Sequence, residues 1–389
     1  MCFIMRSLVL LIASWRILFA MGAPALEAAC YDYTNRSMVL SGTRAVLQPP
    51  EGGFYVVTVL DKNNIWAVGR EGHHHSVSVS SVILNSTDLG YTWTRKAIVL
   101  NQYLFDIYFL TPLTGWAVGS EGLILRTTDG GQNWTRHKPP IGDESLISVR
   151  FISDKKGWAI GRDGRVLRTS DGGSTWRSQI LPAGWVGREF KGWLNSFSFA
   201  DESNGWVVGD GEHIYQSADG GANWQSRASQ VRLLIKAGKV RCINYKAVRF
   251  FNKDAGYLIA ELNVDCDADP GSRKLVILKT VNGGKDWVIQ RILIAPCLHK
   301  VQFLTEMEWW MDVPSHPEEF LLHTTDAGKT WSKVKVTADS GLGLVVFLDS
   351  NTGLSLSYED GFSDYNMVTR DGGRTWVRYQ IKYITQAPR

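Results

Sequence analysis

An eight-residue motif occurs seven times along the chain and constrains the fold more than any other feature. In each copy the first residue carries a hydroxyl group, the third is Asp or Asn, the fifth is Gly and the last is Trp. The copies begin at Ser86, Thr127, Thr169, Ser217, Thr280, Thr324 and Thr369. A short acidic or amide side chain accepts hydrogen bonds from backbone N–H groups just ahead of it, and Gly adopts turn angles that cost other residues more. This turn motif therefore predicts a tight hairpin whose Trp folds back against the strands.

The spacing of the turn motif identifies the larger unit. Its Asp or Asn lies at positions 88, 129, 171, 219, 282, 326 and 371. A repeat of about 40–45 residues built from short strands is typical of a propeller blade. The third unit divides into strands A to D, at 147–152, 158–160, 165–169 and from Trp176 onward. We therefore predict an all-β fold, a seven-bladed β-propeller of four-stranded antiparallel blades.

A second alignment runs through strand A of every unit. The residues at one equivalent place are Val59, Phe109, Phe151, Phe199, Phe250, Phe303 and Phe347. Large apolar side chains at a fixed place in each blade predict packing between neighbouring blades. Two later units depart from the repeat, because Tyr257 replaces the strand-B Trp and Glu308-Trp309-Trp310 replaces Gly-Trp.

The chain divides into four segments. Residues 1–29 predict a signal peptide, because Arg6 precedes an interrupted apolar run and small residues follow it. An uncleaved anchor and a lipoprotein modified at Cys30 are the alternatives. Residues 30–53 form an N-terminal segment that could add a strand to the last blade and close the ring, residues 54–380 form the propeller, and residues 381–389 are expected to be a tail. Export implies an oxidising compartment, in which the pairing of Cys242, Cys266, Cys297 and Cys30 stays open.

The topology of a blade sorts the loops between two faces. The turn motifs share one face with the A–B turns, whereas B–C turns and the connections between blades lie on the opposite face. Three insertions, 181–193, 227–242 and 263–273, belong to that opposite face. Loops on a rigid scaffold commonly carry binding sites. The first insertion has the aromatic and Arg content of an interface anchor, and the second is basic, with Val231, Leu234 and Ile235 spaced as the apolar stripe of a short helix.

Two further basic residues lie on strand A. Arg150 and Arg249 directly precede the aligned Phe, where Tyr108 and Gln302 stand in other units. They could line the mouth of the central channel or satisfy polar contacts between blades. The residues predicted to bind a partner are Trp185, Arg188, Phe190, Lys191, Trp193, Arg232, Lys236, Lys239, Arg150 and Arg249. The alternatives are loops that fold onto their own blades and solvated charge.

The turn motif resembles the Asp-box, or BNR, repeat of sialidases, sortilin-type receptors and related β-propellers. The wider unit GWAVGSEGLILRTTDGG, from Gly115 to Gly131, is similar to the repeat of the photosystem II assembly and stability factors of plants and cyanobacteria and their bacterial relatives. This resemblance, over about residues 54 to 380, implies an exported, non-catalytic propeller that binds a protein, such as a subunit of a membrane complex whose assembly or stability it assists. The periplasm, the thylakoid lumen and the extracellular space are the expected compartments. We expect a monomer, with peripheral membrane proximity open.

Other functional classes lack sequence support. The net charge of +4 does not suggest a nucleic-acid partner. No cofactor or metal is expected: no Cys or carboxylate pattern completes a site around His73, His74 and His75, and the acids in VDCDADPG lack the Gly and Glu spacing of a calcium loop. The enzyme alternative is a glycoside hydrolase of the sialidase type. The Arg-Ile-Pro or Arg-Leu-Pro tripeptide of sialidases is absent, and no pair of carboxylates stands out.

Overall fold

Short strands that alternate with Gly-rich turns build a ring of small sheets. A computed structural model describes residues 54–71, 80–162, 164–182, 193–235, 242–263, 274–294, 298–313, 320–336, 342–356 and 365–385. These residues form seven sheets, and in each one four consecutive strands pair antiparallel in chain order. The predicted seven-bladed propeller is therefore confirmed. The predicted signal peptide and the segment 30–53 lie outside the described residues.

The blades follow one another along the chain. Blade 1 contains β1 (Phe54–Asp61), β2 (Asn64–Glu71), β3 (Ser80–Ser86) and β4 (Thr92–Leu100). Blade 2 contains β5 (Leu104–Phe109), β6 (Gly115–Gly119), β7 (Ile124–Thr127) and β8 (Thr135–His137). Blade 3 contains β9 (Leu146–Phe151), β10 (Gly157–Gly161), β11 (Arg165–Thr169) and β12 (Arg177–Ile180). Blade 4 contains β13 (Leu194–Phe199), β14 (Gly205–Gly209), β15 (Ile214–Ser217) and β16 (Gln225–Ser226).

A helix separates these blades from the remaining three. It is α1 (Ala228–Ile235), in the second predicted insertion; of the predicted apolar stripe, Val231 is fully buried whereas Leu234 is exposed. Blade 5 contains β17 (Cys242–Phe250), β18 (Gly256–Asn263), β19 (Lys274–Thr280) and β20 (Val288–Ile294). Blade 6 contains β21 (Lys300–Phe303), β22 (Trp309–Asp312), β23 (Phe320–Thr324) and β24 (Ser332–Lys335). Blade 7 contains β25 (Leu344–Phe347), β26 (Gly353–Leu356), β27 (Tyr365–Thr369) and β28 (Val377–Gln380).

The last strand of the chain closes the ring. β29 (Lys382–Thr385) pairs in parallel with β4 and becomes the fifth strand of blade 1, and Ile381 just before it packs in the apolar core between blades 7 and 1. This strand lies within the segment 381–389 that we expected to be a tail. Its pairing satisfies backbone groups along the outer edge of β4, which would otherwise need water as a partner.

The turn motif works as a local hydrogen-bond network. In blade 2, the Thr127 hydroxyl donates to Asp129 Oδ1 at 2.8 Å and accepts from the N–H of Gly131 at 2.9 Å. Asp129 Oδ1 also accepts from the N–H of Asn133 at 2.9 Å. Gly131 has a φ of +76°, and a Cβ there would lie 2.5 Å from the Trp66 ring of the preceding blade. The fifth position therefore needs Gly for its angle, as predicted, and also for its space.

The motif of blade 5 reaches the same geometry with exchanged groups. Asn282 Nδ2 donates to Asp286 Oδ2 at 2.9 Å, whereas in blade 2 Asn133 Nδ2 donates to Asp129 Oδ2 at 2.7 Å. The amide and the carboxylate have thus swapped positions. This exchange explains how the motif of blade 5 keeps its turn without an Asp at the third position.

Aromatic rings link each regular blade to the next. Trp116 of strand B in blade 2 stacks on Phe151 of blade 3, with ring centroids 3.5 Å apart. The motif residue Trp176 then meets Phe151 edge-on at 5.9 Å. In the same blade, a Cβ on Gly157 would lie 2.4 Å from the Phe151 ring, so the ring rests directly on that Gly. The aligned Phe residues are therefore packing groups between blades, as their register predicts.

Blades 5 and 6 keep this interface with a different pair of residues. Trp309 stands opposite Phe303, at the place where Gly157 stands opposite Phe151. Its ring lies 4.5 Å from that of Tyr257, and a Cβ on Gly328 would lie 2.6 Å from it. In regular blades it is the Trp of the preceding blade that touches this motif Gly. Trp309 thus fills, from the next blade, volume that the smaller Tyr257 leaves empty.

Candidate partner-binding channel

The innermost strands place one polar position of each blade beside the next blade. Tyr108 donates from its hydroxyl to the carbonyl of Phe151 at 2.8 Å. The Ser198 hydroxyl accepts from the N–H of Phe250 at 2.9 Å, and Gln302 both donates to and accepts from the backbone of Phe347. These side chains bind the backbone of the following strand A. They are contacts between blades, which was the alternative to lining the channel.

Arg150 occupies the equivalent position but turns toward the preceding blade. Its guanidinium forms an ion pair with Asp106, whose Oδ2 also accepts from the Ser148 hydroxyl at 2.8 Å and from the N–H of Val149 at 3.0 Å. Asp106 is buried, whereas the Arg150 side chain is partly open to solvent. The carboxylate therefore anchors Arg150 and leaves part of the guanidinium surface available.

Arg249 differs from the other residues at this position because nothing described pairs with its charge. Within the described ranges its guanidinium forms no hydrogen bond or ion pair, and its central carbon lies 5.7 Å from the centroid of the Phe251 ring. Burial lowers the pKa of Arg249, and the positive charge of Arg150 lowers it further. The side chain is nevertheless exposed by surface area. The guanidinium is therefore open to solvent while neighbouring protein atoms surround part of it.

Lys300 adds a third positive charge to this channel. Its Nζ lies 3.3 Å from the carbonyl oxygen of Val345, to which it donates. Burial lowers the pKa of Lys300 to about 8, while the carboxylates of Asp312 and Asp106 oppose the shift and Arg150 adds to it. We refer to Arg150, Arg249 and Lys300 as the channel cations. Arg150 acts electrostatically on both Arg249 and Lys300, and neighbouring positive charges favour an anion beside them.

Arg162 forms a separate aromatic contact at the other end of strand A. Its guanidinium carbon lies 4.6 Å from the centroid of the Trp193 ring and 5.7 Å from that of the Phe105 ring. The backbone N–H of Arg162 donates to the carbonyl of Ser145, which directly precedes β9. Trp193 directly precedes β13. This cluster therefore lies toward the face of the insertions.

The three predicted binding residues whose side chains the structure describes, Arg150, Arg249 and Trp193, do not all lie on one surface. Arg150 lies near the end of β9 toward the turn motifs, whereas Trp193 lies at the start of β13, on the opposite face. Trp193 aligns with Ser145, five residues before Arg150, and since a strand rises about 3.3 Å per residue, roughly 16 Å separates the two levels. Arg232 lies in α1. The side chain of Arg232 and all of Trp185, Arg188, Phe190, Lys191, Lys236 and Lys239 lie outside the described residues.

Two members of the channel site are absent from the residues predicted by sequence. Lys300 and Asp106 lie two residues before Gln302 and Tyr108, and therefore on the same side of strand A. This spacing of two residues along strand A was the sequence signal that could have identified them. The prediction rested only on the position next to the aligned Phe, so the second layer of charge was missed.

The structure does not reach most of the other candidates for chemistry. His73, His74 and His75, the acids Asp265, Asp267 and Asp269, and Cys30, Cys266 and Cys297 all lie outside the described residues, as does the side chain of Cys242. Within the described ranges, no group of His, Cys, Asp and Glu is arranged to hold a metal ion. In the same ranges, no helix has the length and apolar character needed to cross a membrane.

The carboxylates near the channel are already engaged. Lys246 Nζ lies 3.6 Å from Asp210 Oδ1 and 3.4 Å from Glu261 Oε2, and Glu261 also accepts from the N–H of Leu298. Each described carboxyl group with a shifted pKa is shifted downward, as at the motif residues Asp219 and Asp326. A general acid for glycoside hydrolysis needs the opposite shift.

The motifs and the ring of blades define the class of this protein. It is an Asp-box repeat, seven-bladed β-propeller. A family model described as photosynthesis system II assembly factor YCF48 matches residues 57–138 and 85–188, so the chain is similar to these assembly factors. The photosystem II stability/assembly factor HCF136, chloroplastic, of Cyanidioschyzon merolae is 32% identical over 95 residues. That match covers 21% of this chain and 22% of the relative's length.

Solved structures extend the likeness in fold. A structure of YCF48 bound to D1 peptide has a TM-score of 0.56 at 18% identity and covers 86% of this chain and 97% of its own. Catalytically inactive virginiamycin B lyase from Staphylococcus aureus, with quinupristin, has a TM-score of 0.52 at 13% identity and covers 86% and 98%. Identities this low establish the propeller fold alone, which both a binding protein and an enzyme possess.

Proposed function

We propose that this chain is a non-catalytic scaffold that holds an acidic segment of a partner protein against its channel cations. Through this binding it assists the assembly or stability of a membrane protein complex. The observation that carries the proposal is Arg249, an exposed guanidinium within electrostatic reach of Arg150 and without a hydrogen-bond or ion-pair partner among the described residues. A carboxylate that accepts two hydrogen bonds from Arg249 would relieve this imbalance.

The likeness to photosystem II assembly factors supports the biological part of the proposal. One solved relative, YCF48, was obtained with a D1 peptide, so a propeller of similar fold binds a protein segment. The predicted signal peptide is the basis for proposing that the protein is exported and works in the periplasm, the thylakoid lumen or outside the cell. The engagement of Asp210 and Glu261 by Lys246 favours a scaffold over the hydrolase alternative.

Fluorescence anisotropy with a labelled peptide of alternating Gly, Asp and Glu tests the binding site. Because a hydrogen bond to a charged group contributes about 1.5–3 kcal/mol, we expect Arg249→Gln to weaken binding by about tenfold or more. Arg177→Gln is the matched control, since Arg177 is exposed on β12, an outer strand far from the channel. The same peptide with Asn and Gln in place of Asp and Glu should bind the unchanged protein no more tightly than the acidic peptide binds the Arg249→Gln variant.

Two outcomes would contradict the proposal. Equal binding of the acidic and amide peptides would show that the channel cations do not select a carboxylate. Release of sugar from a panel of glycans, abolished by substitution of the Asp210 and Glu261 carboxylates, would instead favour a hydrolase. The affinity for the acidic peptide should fall as the salt concentration rises, because the proposed interaction is between charges.

A further inference from the structure

The outer edge of blade 5 differs from the outer edges of the other blades. β20 has seven residues, whereas β8, β12, β16, β24 and β28 have two to four. β4 is the other long outer strand, with nine residues, and the edge of its first four, Thr92 to Arg95, is covered by β29. In the described part of the chain no strand pairs with the outer edge of β20. Long uncovered edges are uncommon in native sheets because their free backbone groups recruit another strand.

The side chains of β20 are apolar where an exposed edge is usually charged. Ile292 is 51% exposed and Ile294 is 82% exposed, and Ile289 and Val288 are also exposed. Ile292 and Ile289 stand opposite Val276 and Leu278, which pack in the core between blades 4 and 5. Because directly opposite residues share a face of the sheet, the three isoleucines form a stripe on that face. α1 contacts β20, and its Leu234 is also exposed.

The other face of the same edge carries the basic residue Arg291 between the apolar residues Val288 and Leu293. Arg291 stands opposite Ile277, and Val288 stands opposite Lys279, both on the face toward blade 6. Lys285 lies in the adjoining turn motif, together with the acid Asp286, whereas Lys274 stands opposite Ile294 at the far end of the apolar face. A strand added beside β20 would therefore meet apolar neighbours on one face and positive charge on the other.

We propose that the outer edge of β20 binds an extended segment of a partner protein in which apolar residues alternate with acidic ones. The apolar side chains would lie beside Ile289, Ile292 and Ile294, and the acidic ones beside Arg291. Backbone hydrogen bonds to the free edge would provide the affinity, as in other cases of strand addition. β29 on β4 shows that an outer strand of this propeller accepts a parallel strand.

The same observations argue against two other occupants. A lipid surface would cover the isoleucines but would leave the backbone groups of the edge without partners. A second copy of this chain would place Arg291 and the flanking Lys residues of one edge against those of the other, and like charges opposite one another destabilise a strand pair. An acidic, apolar segment satisfies the backbone, the stripe and the charge together.

Hydrogen exchange and binding of a synthetic octapeptide test the proposal. The probe has Glu and Val in alternation with blocked ends, and we expect it to slow amide exchange in residues 288–294. The double variant Ile292→Thr with Ile294→Thr should weaken binding about fivefold, and Arg291→Gln about threefold. Ile180→Thr is the matched control, because Ile180 is 59% exposed at the end of outer strand β12. These positions are exposed, so thermal unfolding should be unchanged.

A second probe keeps the test independent of how the variants fold. The same octapeptide with N-methylated backbone at alternate residues cannot donate to the edge on one side, and its binding should be lost. Equal binding of the N-methylated peptide, or of a peptide with Lys in place of Glu, would overturn the proposal. So would edge-dependent dimerisation in sedimentation, which identifies a second copy, or edge-dependent binding to anionic vesicles, which identifies a membrane.

Discussion

The exchange of aromatic residues between blades 5 and 6 predicts strong coupling between Tyr257 and Trp309. Both side chains are fully buried, and their rings lie 4.5 Å apart. In regular blades a Trp stands at the place of Tyr257, and a Gly stands at the place of Trp309. Replacing Trp309 with Gly alone removes a complete indole from the core, which costs about 3–5 kcal/mol for truncation to Ala and about 0.5–1 kcal/mol more for Gly in a strand. Replacing Tyr257 with Trp alone overfills the interface, at about 1–3 kcal/mol.

The double variant restores the arrangement of the other blades. The indole introduced by Tyr257→Trp can occupy the volume that Trp309 leaves, and Phe303 can rest on the new Gly as Phe151 rests on Gly157. We therefore expect the double variant to be more stable than the Trp309→Gly single variant. If the two substitutions acted independently, their decreases in the free energy of unfolding would instead sum to about 6 kcal/mol. The coupling energy should be about 3 kcal/mol, at the upper end for residues in contact.

Urea unfolding measures these differences. Circular dichroism should be the main probe, because the substitutions change the Trp fluorescence, and coincidence of the two transitions tests two-state behaviour. The control pairs Trp309→Gly with Ile160→Val in blade 3, which should add within about 0.5 kcal/mol. Additive losses for Tyr257→Trp and Trp309→Gly would refute the reasoning, since they would show that the two rings do not share one volume.

Three other predictions concern single groups. Hydrogen bonds from Asn223 lower the pKa of Asp219 to about 2 from 3.8. The contribution of Asp219 to the free energy of unfolding is therefore present above about pH 4 and lost as the pH falls toward 2. Asp219→Asn should remove about 0.5 kcal/mol of this pH dependence, measured by urea unfolding at several pH values. Ala327 has a φ of +61°, so Ala327→Gly should raise the thermal midpoint, through about 1 kcal/mol of relieved strain. Burial lowers the pKa of Lys300 to about 8 from 10.5, so between these two pH values the unfolded chain binds more protons than the folded one. The free energy of unfolding should therefore rise with pH in that range, and Lys300→Met should abolish the rise.

The regular part of the fold could be predicted because its determinants are local. Each turn motif joins a hydroxyl, an acceptor, a Gly and a Trp within eight residues, and the hydrogen bonds of Thr127, Asp129 and Gly131 form inside that span. The register of Phe151 and its counterparts followed from the repeat itself. The places of both departures, Tyr257 and Trp309, were also visible in the sequence.

What escaped prediction depends on residues far apart in the chain. That Trp309 compensates for Tyr257 depends on contacts between two blades, which no pattern within one blade reports. The pairing of β29 with β4 depends on ring closure, since β29 itself is four residues long and carries no turn motif. That Arg249 has no hydrogen-bond or ion-pair partner among the described residues depends on the direction of its long side chain, and the equivalent Arg150 takes another direction.

The parallel strand β29 has a consequence for biosynthesis. Six of the seven junctions between blades are made by continuous chain, but the junction of blades 7 and 1 is held by β29 and the apolar core around Trp93 and Ile381. Blade 1 is synthesised before the other six blades, and β29, which pairs with it, is synthesised after them. During translation the outer edge of β4 therefore stays unpaired until β29 has been made. A chain that ends before Lys382 would leave blades 7 and 1 without the strand that joins them.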